Sequence, residues 1–387
     1  MFSDHAPGLA SPQDSREVVH RIRNPESPMI SRPSRCAAAA VFALAIVAST
    51  ARAQTMQGMP HEHATDSTPT SSAAAATVNV YRDHGDFVVD IGPIDLPAHA
   101  MHDMIRQPPV AERAAGVDGW LHGYRIEITE AAGDSVPHSI VHHIVVIEPQ
   151  RRDLFTPLML RLAAAGAETS PIVMPRFIGY RMQPTDSILV SAMVHNPTDR
   201  SYHGVHVKIR MPFTSASSWI PTLSIFPMSL DVMPPSGGHS FDVPPGRSEF
   251  HWEGSPGVGG RILGVSGHLH KYGVLLQLED RTEHKILWRI EPDTDAFGNI
   301  KDIPISNFML TFGLEIRPDH VYRLTAVYDN PTGATIVDGG MGALGGVFHP
   351  TGSWPSPNRS DALYRFDWKY TWRDTIAPND APMRMQP

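Results

Sequence analysis

Hydrophobic and polar residues alternate along much of this chain. The clearest case is residues 205–211, where Val, Val, Ile and Met alternate with His206, Lys208 and Arg210. That period of two is typical of a half-exposed β-strand. Similar runs between turn residues predict further strands at 77–80, 87–91, 124–129, 142–147, 188–194, 261–270, 273–278, 285–290, 308–316 and 320–328. Residues 153–166 are the best helix candidate in the first half of the chain.

A Pro/Ser/Gly-rich stretch at about 212–245 interrupts the strand pattern and indicates a domain boundary. The chain contains 30 Gly and 36 Pro, which favour many turns and few long helices. We therefore predict an all-β protein with two tandem antiparallel β-sandwich domains of jelly-roll type. The domains are predicted at 78–213 and 214–372, and a C-terminal tail at 373–387.

The N-terminal residues have the pattern of a secretory signal peptide. Residues 36–51 carry no charge, follow Arg32 and Arg35, and lead into Ala51-Arg52-Ala53, a small-residue cleavage pattern. Residues 1–53 are thus predicted to be removed, with Met29 as a possible true start; an uncleaved anchor is the alternative. The expected location is secreted or periplasmic, with no membrane span after cleavage.

Cleavage would also remove Cys36, the only cysteine of the chain, so the mature protein would have neither a disulfide nor a thiolate ligand. Residues 54–77 are predicted to be a disordered tail in which Met56, Met59, His61 and His63 form either a copper-capture segment or an inert one. The formal net charge of -8 and the lack of a long basic run argue against nucleic acid as a partner.

Histidine clusters are the main chemical feature. The first contains His138, His142 and His143 at the start of an apolar strand. In a regular strand His142 and His143 would point to opposite faces, so both can reach one metal only if the backbone bulges or the pair lies at the strand end. His138 with His142 is a competing ligand pair. His195 follows another apolar strand and is a possible third ligand.

The second cluster is Gly267-His268-Leu269-His270, in which strand alternation places both imidazoles on one face. Met341 lies in a glycine-rich loop, where its thioether could bind Cu(I) or only fill a gap in the core. The sequence contains no G-x-S-x-G, H-E-x-x-H or phosphate-binding loop motif, and metal chemistry remains the sharpest interpretation.

Taken in order over about residues 79–372, these clusters resemble the copper type II, ascorbate-dependent monooxygenases. That family includes the peptidylglycine hydroxylating and dopamine beta-monooxygenases. It has a His-His pair and a third His in its first domain, then an H-x-H and a distant Met in the second. The matching residues here are His142, His143, His195, His268, His270 and Met341.

The resemblance implies two copper ions, small-molecule substrate and O2 as partners, and ascorbate or another one-electron reductant. The three-His site would store and pass an electron. His268, His270 and Met341 would hold the catalytic copper at which O2 reacts and a substrate C–H bond is hydroxylated. A thioether ligand favours Cu(I), the state that reacts with O2.

The chain departs from the family in its substrate residues and its cysteines. Ser266 stands where peptide-acting members have a basic residue, and Gly345 where they have a Tyr; Gly340 and Gly342 replace an acidic residue and a Cys. Peptide amidation is therefore not expected. Two alternatives remain open, a non-catalytic copper protein for storage, delivery or electron transfer, and a structural β-sandwich protein with inert histidines.

Overall fold

Strands account for almost all of the regular structure in the first half of the described chain. The computed structural model describes residues 75–166, 171–233, 235 and 240–373, all within one compact unit. The predicted signal peptide and most of the tail at 54–77 lie outside these residues. The first twelve strands are β1 (Thr77–Asp83), β2 (Asp86–Leu96), β3 (Ala111–Ala114), β4 (Gly119–Leu121), β5 (Gly123–Thr129), β6 (Val141–Arg152), β7 (Met159–Ala165), β8 (Ile172–Val173), β9 (Ile178–Met182), β10 (Ser187–Val194), β11 (Tyr202–Ser215) and β12 (Leu223–Ser224).

The second half continues with thirteen strands and ends in the helix α1 (Ala362–Arg373). The remaining strands are β13 (Phe226–Asp231), β14 (Phe241–Val243), β15 (Gly246–Gly254), β16 (Gly260–Leu269), β17 (Gly273–Asp280), β18 (Lys285–Ile290), β19 (Asp293–Thr294), β20 (Ile300–Asp302), β21 (Ser306–Asn307), β22 (Leu314–Ile316), β23 (Tyr322–Asn330), β24 (Ile336–Gly340) and β25 (Gly342–Pro350).

The sheets pack in pairs. In the first half a sheet of order β3-β10-β6-β7 faces an eight-stranded sheet that contains β1, β2 and β11. Val190 and Val146 of the former share one hydrophobic cluster with Ile91 and Val207 of the latter. In the second half the sheet β15-β23-β17-β18 shares a cluster with the sheet that contains β13, β25 and β16. The predicted all-β fold with sandwich-like sheets is confirmed.

Several local predictions were wrong. Residues 153–166 contain strand β7 rather than a helix, because pairing with β6 overrides the helical propensity of its Leu and Ala residues. Residues 308–316 are a strand only at β22. The stretch at 212–245 does contain strands, since β13 lies within it and pairs with β25 along its whole length. The domain bounds at 213 and 214 remain a prediction.

The helix α1 was not expected from the sequence. Tyr364 is buried against Ile147 and Leu189, and its hydroxyl donates to the Pro149 carbonyl. Buried Asp367 accepts two hydrogen bonds from the Arg161 guanidinium. The helix thereby covers the outer face of the sheet that carries the first histidine cluster. None of the described helices is long and apolar enough to cross a membrane.

The two halves repeat one frame. Asn196 follows β10, and Asn330 ends β23, the corresponding strand of the second four-stranded sheet. Each Asn starts an Asn-Pro-Thr segment, donates from Nδ2 to three backbone carbonyls, and accepts from the N–H and hydroxyl of the Thr two residues later. The same buried amide therefore fixes the same turn in both halves.

These amides generate a stability prediction. Asn196 is fully buried, and Asn196→Ala would leave three carbonyls and a Thr198 N–H without their partner. At about 1 kcal/mol for each net hydrogen bond, we expect the free energy of unfolding to fall by about 3 kcal/mol or more in chemical denaturation. The exposed Asn79 is the control, and Asn79→Ala should cost less than about 0.5 kcal/mol. Equal stability of the two variants would contradict this role of the amide.

Candidate metal centres

A β-bulge places the first histidine pair. In the ladder between β6 and β10, Val141 pairs with Val194 and His143 pairs with Met193, so His142 is an extra residue opposite no partner. A bulge of this kind bends the strand and redirects a side chain. As a result His142 and His143 do not diverge as they would in a regular strand, and their Nδ1 atoms lie 3.2 Å apart.

That spacing has chemical meaning. Two nitrogens that bind one ion at about 2 Å each stand roughly 3 Å apart when the angle at the metal is between a right angle and tetrahedral. The same distance also suits a hydrogen bond between one protonated and one unprotonated nitrogen. His142 is exposed and His143 half-buried, so the pair is accessible from solvent. The structure thus brings His142 and His143 to ligand spacing; His138 with His142 remains the alternative pair.

His195 joins this pair from the neighbouring strand. Its backbone N–H donates to the Ile140 carbonyl, and its ring lies 5.4 Å from the His142 ring. Its Nε2 is 2.7 Å from the Ser139 carbonyl. Since a carbonyl only accepts, Nε2 carries the proton and Nδ1 keeps the lone pair. Histidine ligands commonly donate their second nitrogen to a backbone carbonyl in this way.

The three imidazoles do not form a complete metal site as they are placed. Among the described residues, no group of three or more His, Cys, Asp or Glu side chains could hold a metal ion as placed. The His142 and His143 nitrogens already have ligand spacing, and the His195 ring touches His142 at its edge. The fold therefore places two imidazole nitrogens, of His142 and His143, at ligand spacing, and a third imidazole, of His195, in edge contact with the His142 ring.

His268 and His270 form the second cluster. Strand β16 ends at Leu269, between the two histidines, and their ring centroids are 5.0 Å apart. Both rings are half-buried. The expected placement of both imidazoles on one face of a strand agrees with this short ring distance.

His270 and Met341 each lie one residue beyond the end of the β16–β25 ladder. In this antiparallel ladder His268 pairs with Ala343 and Leu269 with Gly342, so the same register continued by one step would align His270 with Met341. Directly opposed residues of an antiparallel pair share a face. Gly340 and Gly342 are buried, and a Cβ on them would lie 2.1 Å from the Phe241 ring and 2.7 Å from the Ala326 Cβ. These glycines allow the backbone to approach the core closely, and strand alternation would direct the Met341 side chain, between them, to the opposite side.

One phenol ties the two ligand segments together. The Tyr328 hydroxyl accepts from the backbone N–H of His270 and from that of Met341, each at 3.0 Å, and donates to the Met341 carbonyl. Tyr328 is fully buried, and burial raises the pKa of its phenol, so the proton needed for donation is retained. The H-x-H and the distant Met, which are far apart in sequence, are therefore fixed to one buried oxygen.

The surface beside the second cluster has little side-chain bulk. Ser266 and Gly345 face each other in the ladder, two residues before His268 and after Ala343. A Cβ on Gly345 would meet nothing within 4 Å. The Ser266 hydroxyl donates to the Ile303 carbonyl. The two positions where peptide-acting family members carry a basic residue and a Tyr are thus adjacent here, small and uncharged.

Other histidines have structural partners. His122 is buried; its Nδ1 donates to the Ile178 carbonyl, and its Nε2 accepts from the Thr214 hydroxyl. Burial lowers the pKa of this imidazole, so it stays neutral. His320 is buried against the Asp280 carboxylate at 2.7 Å. Histidine count alone therefore overstates the number of candidate ligands.

Two further residues near the clusters could not be identified from sequence pattern. Tyr328 is one of them, because nothing local indicates where its hydroxyl will point. His102 lies outside the two histidine clusters in the sequence, with His99, Met101 and Met104 as neighbours. Its ring lies 5.7 Å from that of His142.

Comparisons with known proteins do not identify a family. No family model and no curated protein matches the chain. Among solved structures, the chain is similar to PNGase F, a glycosylasparaginase from Flavobacterium meningosepticum, with 10% identity, 70% of this chain and 98% of that chain covered, and a TM-score of 0.35. It is also similar to the STIV MCP, with 9% identity, 71% and 96% covered, and a TM-score of 0.33. Similarity at this level supports no conclusion about function.

The Tyr328 hydroxyl can be tested directly. Tyr328→Phe would leave two buried N–H groups without an acceptor, so we expect the free energy of unfolding to fall by about 2 kcal/mol. We also expect weaker Cu(I) binding at His268, His270 and Met341, because the two ligand segments are no longer tied together. Competition with a chromophoric Cu(I) chelator measures this affinity.

Tyr322→Phe is the matched control. Tyr322 is also fully buried in β23, and its hydroxyl accepts from the Arg317 N–H at 2.8 Å. The control should lose stability and retain the wild-type Cu(I) affinity. If Tyr328→Phe also retained that affinity, Tyr328 would have no role in holding the ligands.

Proposed function

We propose that this chain is a secreted or periplasmic, copper-dependent monooxygenase-like protein. It would hydroxylate a C–H bond of a small molecule with O2 and an external reductant such as ascorbate. The observation that carries the proposal is the bulge that sets His142 Nδ1 and His143 Nδ1 3.2 Å apart. A regular strand would direct these side chains to opposite faces.

The first cluster would hold one of two copper ions through His142, His143 and His195. When bound, copper supplies the one-electron chemistry and the reaction with O2 that side chains alone cannot perform. His195 is oriented for this by its Nε2 hydrogen bond to Ser139, which leaves Nδ1 as the donor. His142 and His143 provide the accessible pair.

The second cluster would hold the other ion through His268, His270 and Met341. Two imidazoles with a thioether form a softer donor set than three imidazoles, and such a set favours Cu(I). Tyr328 holds the backbone of His270 and Met341 in place through its hydroxyl. The two unlike sites support a division of labour between electron storage and oxygen chemistry.

The substrate surface is expected beside His268. Ser266 and Gly345 leave that part of the face open and uncharged. Neither Ser266 nor Gly345 carries a charge that could bind a substrate carboxylate, which favours an uncharged substrate over a peptide with a free C-terminus.

A non-catalytic copper carrier is the second candidate. Met101 and Met104 are 46% and 62% exposed on the loop that brings His102 to the first cluster. Exposed thioethers beside imidazoles suit capture and delivery of Cu(I). Oxygen consumption separates this candidate from the first.

The proposal predicts the copper content of the protein. Copper-loaded protein should contain two copper ions per chain, and His142→Ala with His143→Ala should remove one of them, because the two clusters share no ligand. Elemental analysis after gel filtration measures the ratio. His203→Ala with His251→Ala removes two partly exposed histidines outside the clusters and should retain both ions. A folded protein without copper, or loss of both ions at once, would contradict two independent sites.

The proposal also predicts oxygen uptake. Copper-loaded protein should consume O2 when ascorbate is supplied, and His268→Ala with His270→Ala should abolish this uptake while copper at the first cluster remains. An oxygen electrode measures the rate. Uptake that persists in the double variant would come from copper elsewhere and would contradict the assignment of His268 and His270.

A further inference from the structure

A short loop brings a fourth imidazole to the first cluster. The loop contains a 3₁₀ helix, His102–Met104, whose residues are exposed. The His102 ring lies 5.7 Å from the His142 ring at an interplanar angle of 53°. His142 thus has His102, His143 and His195 as ring neighbours, from three different segments of the chain.

Gln107 fixes this loop to the strand that carries His195. Its Nε2 donates to the His102 carbonyl at 2.7 Å and to the Val194 carbonyl at 2.9 Å, and its Oε1 accepts from the Val194 N–H at 2.8 Å. Nearby, the Asn196 N–H donates to the Ala100 carbonyl at 2.8 Å. The approach of His102 to His142 is therefore set by hydrogen bonds on both sides of His195.

The ring distances match those of imidazoles that share an ion. A ring centroid lies about 3 Å from the metal it binds, so two rings on one ion have centroids roughly 4.5 to 6.5 Å apart. The distances from His142 to His143, His195 and His102 are 5.4, 5.4 and 5.7 Å. His102 thus stands at a ligand's distance from His142, as the other two do, and its exposed side chain can rotate without disturbing the core.

We propose that His102 is a fourth nitrogen donor at the first copper site. The proposal rests on copper binding at His142, His143 and His195, and it adds a ligand that the family pattern does not contain. Four imidazoles provide the tetragonal nitrogen set that Cu(II) prefers. The oxidised state of this site would accordingly be held more firmly than by three imidazoles.

The test uses the full chain with His268→Ala and His270→Ala, so that the second site no longer binds, and with His61→Ala and His63→Ala, so that the N-terminal segment does not compete. One equivalent of Cu(II) is added, and the number of bound nitrogens is determined from electron paramagnetic resonance. The parent should show four nitrogen donors and His102→Ala three. Cu(II) affinity, measured by chelator competition, should fall at least about tenfold, the lower end of what loss of a ligand's hydrogen-bond partner costs.

His99→Ala is the matched control, since His99 is exposed on the same loop and pairs with Asp199 at 3.1 Å. It should keep four nitrogens and the parent affinity. His102→Asn provides a second variant that keeps a polar side chain, and circular dichroism verifies folding. Unchanged spectra and affinity in folded His102 variants would overturn this inference alone. A parent that binds no Cu(II) would overturn it together with the first copper site.

Discussion

The first histidine cluster depends on one irregularity, the extra residue His142 in the ladder between β6 and β10. Without it, adjacent histidines in a strand would point to opposite sides of the sheet. With it, two Nδ1 atoms lie at ligand spacing on the accessible side of a strand whose neighbouring residues remain in the core. Two neighbouring elements contact this sheet. The helix α1 packs on its outer face through Tyr364, and Gln107 binds the end of β10 through the Val194 backbone.

The sequence predicted the parts of the structure that depend on local pattern. Period-2 alternation is decisive for β11, because each face of that strand has its own environment. The need for a bulge or strand end at His142 and His143 also follows from strand geometry alone. The helix predicted at 153–166 is wrong because Leu and Ala are strong helix formers, and only pairing with β6 makes part of this segment a strand. The helix α1 was not predicted from local pattern. Its contacts with Arg161 and Pro149 join residues that are far apart in the sequence.

In the second cluster, too, the sequence predicts local placement but not contacts between distant segments. The short distance between His268 and His270 is a local property, but the ends of β16 and β25 that lead to His270 and Met341 are brought together by the register of these two strands. The Tyr328 hydroxyl that binds both segments is a tertiary contact, as is the approach of His102 to His142. Residue types could therefore be listed from the sequence, whereas the connections among them could not.

The repeated frame extends to the bulge itself. In the second half, Gly273 pairs with Tyr328 and Leu275 with Val327, which leaves Val274 as the extra residue. The Asp329 N–H donates to the Tyr272 carbonyl at 2.9 Å, as the His195 N–H donates to Ile140. Val274 and Asp329 thus occupy the places of His142 and His195. The bulge belongs to the architecture and not to the metal, because the second half forms it with Val274, whose side chain cannot bind a metal ion. Ligands could therefore be removed from the first half, or introduced at Val274 and Asp329, without a change of backbone path.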